Sequence, residues 1–366
     1  MLFCRCPAKP PQNGLAAALL PLLSHLHTIV GGRDRTFLNG ALLQALRDLL
    51  HTSRVSLVRV ITHNGFSFFL PAGTVIGHKM ELRDAYLLSP QHGHPLAGHA
   101  LYQQCCDGAR PLHTLHDDGH HYLYPLFQHD RPYALLELER PTPLGEEETT
   151  LLSQLLGLFL DHLALIEYAE TDTLTGLLNR KTFDENLNRI LANVGNDDTL
   201  LEQHPYPHRR HARRIGVSNW LAVADIDHFK RINDSHGHII GDEVLLLVAQ
   251  SMRQSFRFDD QLFRFGGEEF VTVLQPASQA DAFTVLDRFR SNIESHDFPI
   301  VGRLTISIGF TRIDALDSPT ELVGRADQAL YFAKQAGRNR VESYEDLHAA
   351  GLIPDSHNDK PKAELF

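Results

Sequence analysis

The chain has 366 residues, of which 43% are hydrophobic and 22% are charged, and its formal net charge is −11. This length predicts two domains that each bury a core, the apolar fraction excludes a largely disordered protein, and the acidic balance argues against a dedicated DNA-binding surface. The charge is uneven, because residues 1–150 carry only −1 of it, with 12 Lys and Arg against 13 Asp and Glu. The same residues hold 13 of the 23 histidines, so we expect two different domains.

Cysteine content and hydropathy bear on the compartment. The four cysteines are Cys4, Cys6, Cys105 and Cys106. They are too few for a disulfide framework in a chain of this length, which favours a reducing compartment. The most apolar stretch, Leu151–Ile166, is interrupted by polar residues and falls short of a span of about 18 residues. The run Leu15–Leu23 is similar to a signal-peptide core, but Pro21 and the polar residues after it favour an amphipathic helix. We expect a soluble, cytoplasmic protein with no membrane partner.

The first domain is predicted over residues 1–145. Helical apolar spacing covers 37–51, and a second helix is expected near Leu96–Cys106. Strand-like runs are Val55–Ile61, Phe66–Leu70, His121–Phe127 and Tyr133–Leu138. A helix, several antiparallel strands and a closing helix are typical of a small α+β sensor domain. By this layout, and by its place ahead of a second domain, it resembles a GAF domain, which implies a small-molecule signal of unknown identity.

A single helix is predicted to link the domains over 146–170. The acidic, turn-rich Pro141–Glu148 favours a helix start, because carboxylates interact well with the positive end of the helix dipole. Apolar residues then alternate at spacings of four and three, at Leu152, Leu156, Phe159, Leu163 and Ile166. Two heptads of this pattern fit either a dimerising coiled coil or a helix packed on its own domain.

Two segments lack apolar periodicity. Residues 195–217 are predicted to be a long exposed loop, because their polar composition cannot bury enough surface to fold. Four arginines in it could contact phosphates or simply be solvated, namely Arg209, Arg210, Arg213 and Arg214. The tail, residues 347–366, is predicted to be disordered.

The second domain, residues 171–346, contains an apolar strand that ends in acids. Residues 221–224 are followed by Asp225, Ile226 and Asp227. Carboxylates held at the end of a buried strand suit Mg²⁺, which binds one or two carboxylates together with substrate phosphates. Asp227 could instead cap the next helix, which leaves Asp225 as the better ligand candidate.

Two helices are predicted after this strand. Residues 229–234 form the first, which Gly237 would end. Gly241-Asp242 opens the second, which covers Val244–Met252. The tight turn at His228–Lys230 can direct backbone N–H groups at phosphate oxygens.

A hairpin is predicted next, because Gly266-Gly267 joins two strand patterns and favours a primed turn. An ordinary hairpin explains the glycines. It does not explain Glu268 and Glu269 directly after them, where like charges crowd one another. Glycines also let a backbone approach a substrate closely.

These motifs resemble the GGDEF diguanylate cyclases, whose signature has the GGEEF form here at residues 266–270. Further stretches are similar to the family's motifs in the right order: Asp172–Arg180 to the opening motif, Asp225–Asn233 and Gly237–Asp242 to the nucleotide-binding stretch, and Arg325–Asn339 to the closing helix. The likeness covers about residues 170–345. The loop at 195–217 is longer than usual and lies outside every motif.

The resemblance implies an α+β, palm-like domain with a central, mostly antiparallel sheet flanked by helices. It also implies a reaction in which two GTP condense to cyclic di-GMP and release two pyrophosphates. Asp225 and Glu268 would bind Mg²⁺, or Mn²⁺, with the Ile226 carbonyl, and the metal would ease deprotonation of a 3′-hydroxyl. Glu268 is the candidate to assist this deprotonation, and Glu269 is a further catalytic candidate. Each protomer would bring one GTP, so a homodimer is expected.

Substrate contacts are carried over from the same resemblance. Guanine selection falls to Asn233 and Asp242, and a carboxylate suits it because guanine offers a donor pair that adenine lacks. The other substrate-binding candidates are Phe229, Lys230, Gly266, Gly267, Lys334 and Arg338. Alternatives stay open, with Asp242 as a helix N-cap and Lys334 and Arg338 as ordinary charges at a helix C-terminus.

Arg257 and Asp260 lie nine and six residues before Gly266. This offset is similar to the family's RxxD product-inhibition site, which binds cyclic di-GMP. Arg288 is a candidate secondary contact from a neighbouring domain. An Arg-x-x-Asp string is also common as a charge pair at a helix end.

Several histidines of the first domain lie near two aspartates and could ligate zinc or haem. They are His113, His116, His120, His121 and His129. Their spacing matches no recognised metal site, which favours polar loop and strand-face residues. Two functions compete with the cyclase: a non-catalytic module that binds GTP or cyclic di-GMP, and a polymerase or adenylyl cyclase of similar fold. The acidic second half suits no nucleic-acid partner.

Overall fold

The structure is a computed structural model that describes residues 13–63, 65–88, 90–196 and 217–353. The chain divides into two compact units between Ala169 and Glu170. Each unit has its own sheet and its own hydrophobic core. The four arginines of the predicted loop at 195–217 lie outside the described residues.

The first unit consists of a sheet with helices before, within and after it. Its helices are α1 (Asn13–Gly31), α2 (Arg35–Leu50), α3 (Ala100–Gly108) and α4 (Glu146–Glu170). Its strands are β1 (Arg54–His63), β2 (Phe66–Ile76), β3 (Lys79–Leu82), β4 (His94–Pro95), β5 (Leu112–His116), β6 (Gly119–Gln128) and β7 (Arg131–Arg140). Single turns of 3-10 helix lie between β3 and α3, at Ala85–Leu87, Pro90–His92 and Leu96–Gly98.

The sheet of the first unit is antiparallel, in the order β3-β2-β1-β7-β6-β5, with β4 paired to β2. The four predicted strands lie within β1, β2, β6 and β7. The sequence did not indicate β3 or β5, because these strands are short and mostly exposed and so carry no apolar run. The predicted helix at 37–51 corresponds to α2, which begins where the Asp34 side chain accepts a hydrogen bond from Phe37 N (2.8 Å).

Helix α4 packs on its own unit, which is one of the two structures that its apolar spacing allows. All five residues of the pattern are buried in the core of the first unit, together with residues of α2, β1 and β7: Leu152, Leu156, Phe159, Leu163 and Ile166. By length and composition α4 is also long and apolar enough to cross a membrane. The five apolar residues of the pattern face this core, whereas Leu165 of the same helix is 63% exposed.

The second unit alternates strands and helices. Its helices are α5 (Arg180–Asn196), α6 (Phe229–His236), α7 (His238–Ser255), α8 (Gln279–Ser295), α9 (Pro319–Gln335) and α10 (Tyr344–Ala349). Its strands are β8 (Leu178–Asn179), β9 (Ser218–Ile226), β10 (Gln261–Gly266), β11 (Glu269–Ala277), β12 (Ile306–Arg312) and β13 (Val341–Ser343).

Strand β9 lies inside a sheet with the order β13-β12-β9-β11-β10-β8. The inner pairs are antiparallel, and β13 and β8 join the edges in parallel. Apolar residues on one face of β9, such as Ala222, belong to a core with α6, α7 and α8, whereas Leu221 and Val223 belong to a core with α5 and α9. Burial on both faces explains the continuous apolar run in the sequence, and the expected antiparallel sheet flanked by helices is confirmed.

Helix α9 packs closely on β12 at Gly309. A Cβ atom at this position would lie 2.1 Å from the backbone nitrogen of Leu330 and 2.3 Å from the carbonyl oxygen of Ala326. Both neighbours are helix backbone, which cannot move aside cheaply. The absence of a side chain at Gly309 therefore sets how closely α9 approaches the sheet.

The structure differs from two predicted boundaries. Helix α7 begins at His238 rather than at Gly241-Asp242. Ile239 in its first turn is 78% exposed, so this turn does not continue the buried face of the helix. The tail predicted to be disordered from residue 347 begins inside α10. Leu347 is 4% exposed and packs with Tyr344 and Ala329, so disorder is wrong for residues 347–353, and 354–366 lie outside the described residues.

Candidate active site at the end of strand β9

Asp225, the penultimate residue of β9, is the centre of the site. In the antiparallel sheet it lies directly opposite Glu269 of β11 on one side and Ser307 of β12 on the other. Its side chain is 8% exposed, and Lys334 Nζ of α9 lies 2.8 Å from its Oδ1. The acid predicted from the end of the strand is therefore buried beside a cation from a distant helix.

The β10–β11 hairpin brings two further carboxyl groups to this end of the sheet. Gly266 (φ 143°) and Gly267 (φ 52°) both adopt conformations that favour glycine, as a primed turn requires at its first position. Glu268 lies in the turn and Glu269 opens β11, and both are half-buried. The two glycines thus place the glutamates at Asp225.

Arg264 of β10 fixes the hairpin turn to the opening motif. Its Nε and Nη2 donate to the carbonyl oxygen of Gly267 (3.2 and 2.9 Å), and its Nη1 donates to Asp172 Oδ1 (3.0 Å). The same Asp172 oxygen accepts from the backbone nitrogen of Thr175 (2.8 Å). Because the Arg264 side chain is mostly buried, this network links the loop before β8 to the turn that carries Glu268.

Three carboxyl groups and one ammonium share the site. Burial raises the pKa of Asp225, and the Lys334 ammonium opposes that rise. Burial and the nearby Asp225 raise the pKa of both Glu268 and Glu269. This crowding disfavours the ionised carboxylates, and a divalent cation would relieve it. The donor set, carboxylates with the adjacent Ile226 carbonyl, fits Mg²⁺.

Asp327 is a residue of this site that the sequence reasoning missed. It lies seven residues before Lys334 on α9, and this spacing puts both on one face of the helix. Burial, followed by the charge of Glu269, raises the pKa of Asp327 to about 6. The spacing from Lys334 is the signal that could have identified it.

Asp227 has a structural role. Its carboxylate accepts hydrogen bonds from Thr305 Oγ1 (2.7 Å), Ser307 Oγ (2.7 Å) and the backbone nitrogen of Asn339 (3.1 Å). The prediction that Asp227 could cap the next helix is wrong, because His228 occupies the N-cap position without a side-chain bond. Asp227 instead holds the turn after α9 against the end of β9.

Asn233 of α6 and Gly241 of α7 make a close approach. A Cβ atom at Gly241 would lie 2.0 Å from Asn233 Oδ1, so a side chain there would displace the amide. Asn233 Oδ1 is buried and has no hydrogen-bond partner within the part of the chain that the structure describes. A buried amide oxygen without a donor is costly, and a ligand donor would satisfy it.

Two predicted substrate contacts differ in exposure, since Asp242 is exposed and Phe229 is buried. Asp242 is exposed on the second turn of α7, so the alternative that it caps the helix is wrong; Gly237 is the N-cap. Phe229 is 4% exposed and its side chain belongs to the core, so a substrate contact would have to be made by its backbone. The apolar character of Phe229 already indicated a core position.

The predicted phosphate contacts differ in their partners. Lys230 and Arg338 are exposed, and Arg338 has a left-handed backbone (φ 65°) with Nε 4.0 Å from Asp227 Oδ1. Lys334 is not an ordinary charge at a helix C-terminus, since it pairs with Asp225. The Asp227–Asn339 bond brings the turn containing Arg338 next to the start of α6, which carries Lys230.

The RxxD residues form a closed turn. The two oxygens of Asp260 accept from the backbone nitrogens of Arg257 (2.8 Å) and Gln275 (3.0 Å), and Asp260 is 8% exposed. The side chain of Arg257 is exposed. Arg288 of α8 donates to the carbonyl oxygen of Ser255, so it lies beside this turn within the same unit.

The family described as "Diguanylate cyclase, GGDEF domain" matches residues 198–340. The diguanylate cyclase DgcP of Pseudomonas aeruginosa is 42% identical over 177 residues, which make up 48% of this chain and 24% of DgcP. The response regulator PleD of Caulobacter vibrioides is 38% identical over 190 residues, 50% of this chain and 37% of PleD. The matched residues therefore span well under half the length of either relative.

Among solved structures, the GGDEF domain of DgcB from Caulobacter crescentus, in complex with c-di-GMP, is 34% identical. It covers 48% of this chain and 94% of the DgcB chain, with a TM-score of 0.42.

Proposed function

We propose that the protein is a diguanylate cyclase that condenses two GTP into cyclic di-GMP and releases two pyrophosphates, because residues 198–340 of its second unit match the GGDEF-domain family. The observation that carries this proposal is the convergence of Asp225, Glu268 and Glu269 on Lys334 at the end of the central strands. Three carboxyl groups with one ammonium form an electronegative site, which suits metal-assisted chemistry on phosphates.

Asp225, Glu268 and the Ile226 carbonyl would hold Mg²⁺ or Mn²⁺. The metal, when bound, neutralises phosphate charge and makes the 3′-hydroxyl easier to deprotonate. Glu268 is suited to take part in this proton transfer, because its raised pKa is nearer to neutrality than that of an ordinary glutamate. Glu269 acts through charge, as it lies directly opposite Asp225 and raises the pKa of its neighbours.

Guanine recognition rests on Asn233 and Asp242. The unpartnered, buried Asn233 Oδ1 would accept from the base, and the exposed Asp242 would accept from the N1–H and amino donors of guanine. The exposed Lys230 and Arg338 would bind terminal phosphates, and the backbones of Gly266 and Gly267 would approach the nucleotide. Lys334 would also bind a terminal phosphate while it remains paired with Asp225.

Two protomers are required, since each active site would bring one GTP and the two nucleotides must face each other. Product would bind at Arg257, whose side chain is exposed while Asp260 holds the turn by accepting two backbone N–H groups. Arg288 lies beside this turn and would add a cation from the same unit. These contacts support inhibition by cyclic di-GMP as part of the proposal.

The first unit would regulate the cyclase. An antiparallel sheet with helix α2 before it and α4 after it supports a GAF-like sensor domain, for which the proposed ligand is a small molecule. We place the protein in the cytoplasm, where GTP is available, and propose no nucleic-acid partner.

The test is an assay of purified full-length protein with GTP and Mg²⁺, in which cyclic di-GMP and pyrophosphate are quantified. We expect product from the wild type, and none above background from Glu268→Gln. The matched control is Glu185→Gln on the exposed face of α5, which should keep wild-type activity. Binding of cyclic di-GMP without turnover in the wild type would favour the non-catalytic module instead.

A further inference from the structure

The β5–β6 hairpin of the first unit places polar side chains in register across three strands. In the antiparallel pairing, His121 of β6 lies opposite Thr114 of β5 and opposite Glu139 of β7. Directly opposite residues project from the same face of a sheet, so these three side chains share one face. Asp118 lies in the hairpin turn between β5 and β6, three residues before His121.

The donor atoms on this face converge. His121 Nε2 lies 3.0 Å from Asp118 Oδ1. One ligand atom from each of Asp118, His121 and Glu139 lies within 4.8 Å of the other two. Ligands about 2.1 Å from a tetrahedral zinc ion lie about 3.4 Å from one another, so the spacing needs only small side-chain rotations.

Simple ion pairing explains only part of this arrangement. A His121–Asp118 pair accounts for two of the groups, and Arg54 Nη1 lies 3.5 Å from Glu139 Oε1. The Arg54 side chain is 45% exposed, and exposed pairs of this kind contribute about 0–1 kcal/mol. The sheet register brings Glu139 next to the imidazole, and a shared cation would be the one interaction that binds all three groups.

We propose that Asp118, His121 and Glu139 form a binding site for a divalent transition-metal ion of the zinc class. One imidazole nitrogen and two carboxylate oxygens make a mixed donor set that zinc accepts, with room for a fourth ligand. His116 is the nearest candidate for that position, because its ring centroid lies 4.4 Å from that of His121. The site does not depend on the proposed cyclase activity.

The nearby cysteines do not belong to this site. Cys105 and Cys106 are buried, and burial raises their thiol pKa values to about 12 and about 11. The Cys105 thiol donates to the carbonyl oxygens of Arg110 and Leu123. Thiols held protonated in this way are poor metal ligands, so the donor set is nitrogen and oxygen.

The site lies one residue from a contact that holds helix α4. Arg140 follows Glu139 and donates to Glu148 in the first turn of α4 (2.9 Å), where its side chain is 7% exposed. A metal that fixes Glu139 would therefore also restrain the end of β7. Metal binding should raise the thermal stability of the protein, because an ion that binds only the folded state stabilises it.

The test is Zn²⁺ binding to untagged, metal-free full-length protein, measured by calorimetry in excess Mg²⁺ so that oxygen-ligand sites are occupied. We expect one equivalent to bind to the wild type. Asp118→Asn, His121→Gln and Glu139→Gln should each weaken this binding by at least about tenfold. Mutation of even the outer-shell partners of a metal site lowers metal affinity by about 10–100-fold. The matched control is the double variant His113→Gln/His120→Gln, which removes a stacked histidine pair from the opposite face of the same hairpin.

Two further measurements separate the site from adventitious binding. Co²⁺ substitution should give a visible absorption band that His121→Gln abolishes, and Zn²⁺ should raise the melting temperature of the wild type but not of Glu139→Gln. Circular dichroism establishes that each variant is folded. The proposal is overturned if the wild type binds Zn²⁺ no more tightly than the three ligand variants, or if the opposite-face variant loses as much affinity.

Discussion

Lys334 Nζ lies 2.8 Å from Asp225 Oδ1, and this ion pair joins helix α9 to the end of strand β9. The Lys334 ammonium holds down the pKa of Asp225 against the effect of burial, so the variant Lys334→Met should raise that pKa further. We expect activity at neutral pH to fall by about a hundredfold, and the acid limb of the pH–rate profile to move to higher pH. Lys181→Met, an exposed position on α5, is the control, and an unshifted profile would contradict the role assigned to Lys334.

The two glutamates of the hairpin should respond differently to loss of charge. Glu268→Gln removes a proposed metal ligand, so we expect activity to fall at least about a hundredfold and the Mg²⁺ concentration for half-maximal activity to rise. Glu269→Gln removes a charge that raises the pKa of Asp327, so its main effect should be on the pH profile. Activity measured against Mg²⁺ concentration for both variants checks this, and equal losses would argue against separate roles.

A methyl group at Gly241 should disturb the proposed guanine site. In Gly241→Ala the Cβ atom would lie 2.0 Å from Asn233 Oδ1, which forces the amide to move. We expect a loss of about 1–3 kcal/mol in unfolding free energy and at least a tenfold rise in KM for GTP. Gly324→Ala on α9 is the control, because no atom lies within 4 Å of its Cβ and helix propensity should add about 0.5–1 kcal/mol. Unchanged GTP binding in Gly241→Ala would count against Asn233.

Asp327 should lower stability at neutral pH. Its folded-state pKa of about 6 lies above the ordinary value of 3.8, so its contribution to stability is present below pH 3.8 and is lost as the pH rises through 6. Asp327→Asn removes this penalty, and we expect a gain of roughly 1–3 kcal/mol at pH 7 that shrinks between pH 6 and pH 4. Urea unfolding across this range, with the exposed Asp184→Asn as control, measures it. A gain that does not vary with pH would contradict the assignment.

Arg264 and Asp172 should be energetically coupled through the hairpin turn. Arg264 joins Asp172 Oδ1 to the Gly267 carbonyl, so either single variant, Arg264→Met or Asp172→Asn, loosens the turn that carries Glu268. We expect each to cost about 1–3 kcal/mol, and the double variant to cost less than the sum. A double-mutant cycle on unfolding free energy and activity measures the coupling. Additive effects would mean that the opening motif does not support the turn.

Local patterns predicted several residues of the candidate active site in the second unit. Asp225 followed from an apolar run that ends in acids, and the hairpin followed from Gly266 and Gly267, because both signals lie within a few residues. The contact of Asp225 with Lys334 could not be derived from pattern, since it depends on how α9 packs on the sheet. The contacts of Asp227 were harder still to predict, because its partners are Thr305 just before β12, Ser307 in β12 and Asn339 in the turn after α9.

The elements that the sequence did not predict have little buried apolar surface. Strands β3 and β5 bury little, so no alternation marks them, and Ile239 in the first turn of α7 is 78% exposed. The histidines on β5 and β6 have no recognisable ligand spacing in the sequence. His121 meets Glu139 through cross-strand register, which the spacing of residues along the chain does not show.

Gly309 is not one of the proposed substrate-binding residues, yet the position of Lys334 depends on it. Any side chain there would push α9 away from β12, and the ammonium would leave Asp225 with it. A comprehensive mutational scan that reads out the proposed cyclase activity alone would therefore rank Gly309 alongside Glu268. Only a parallel measurement of the amount of folded protein would distinguish the two positions. Substitutions at Gly309 would lower that amount because they disturb packing, whereas substitutions at Glu268 would lower activity alone.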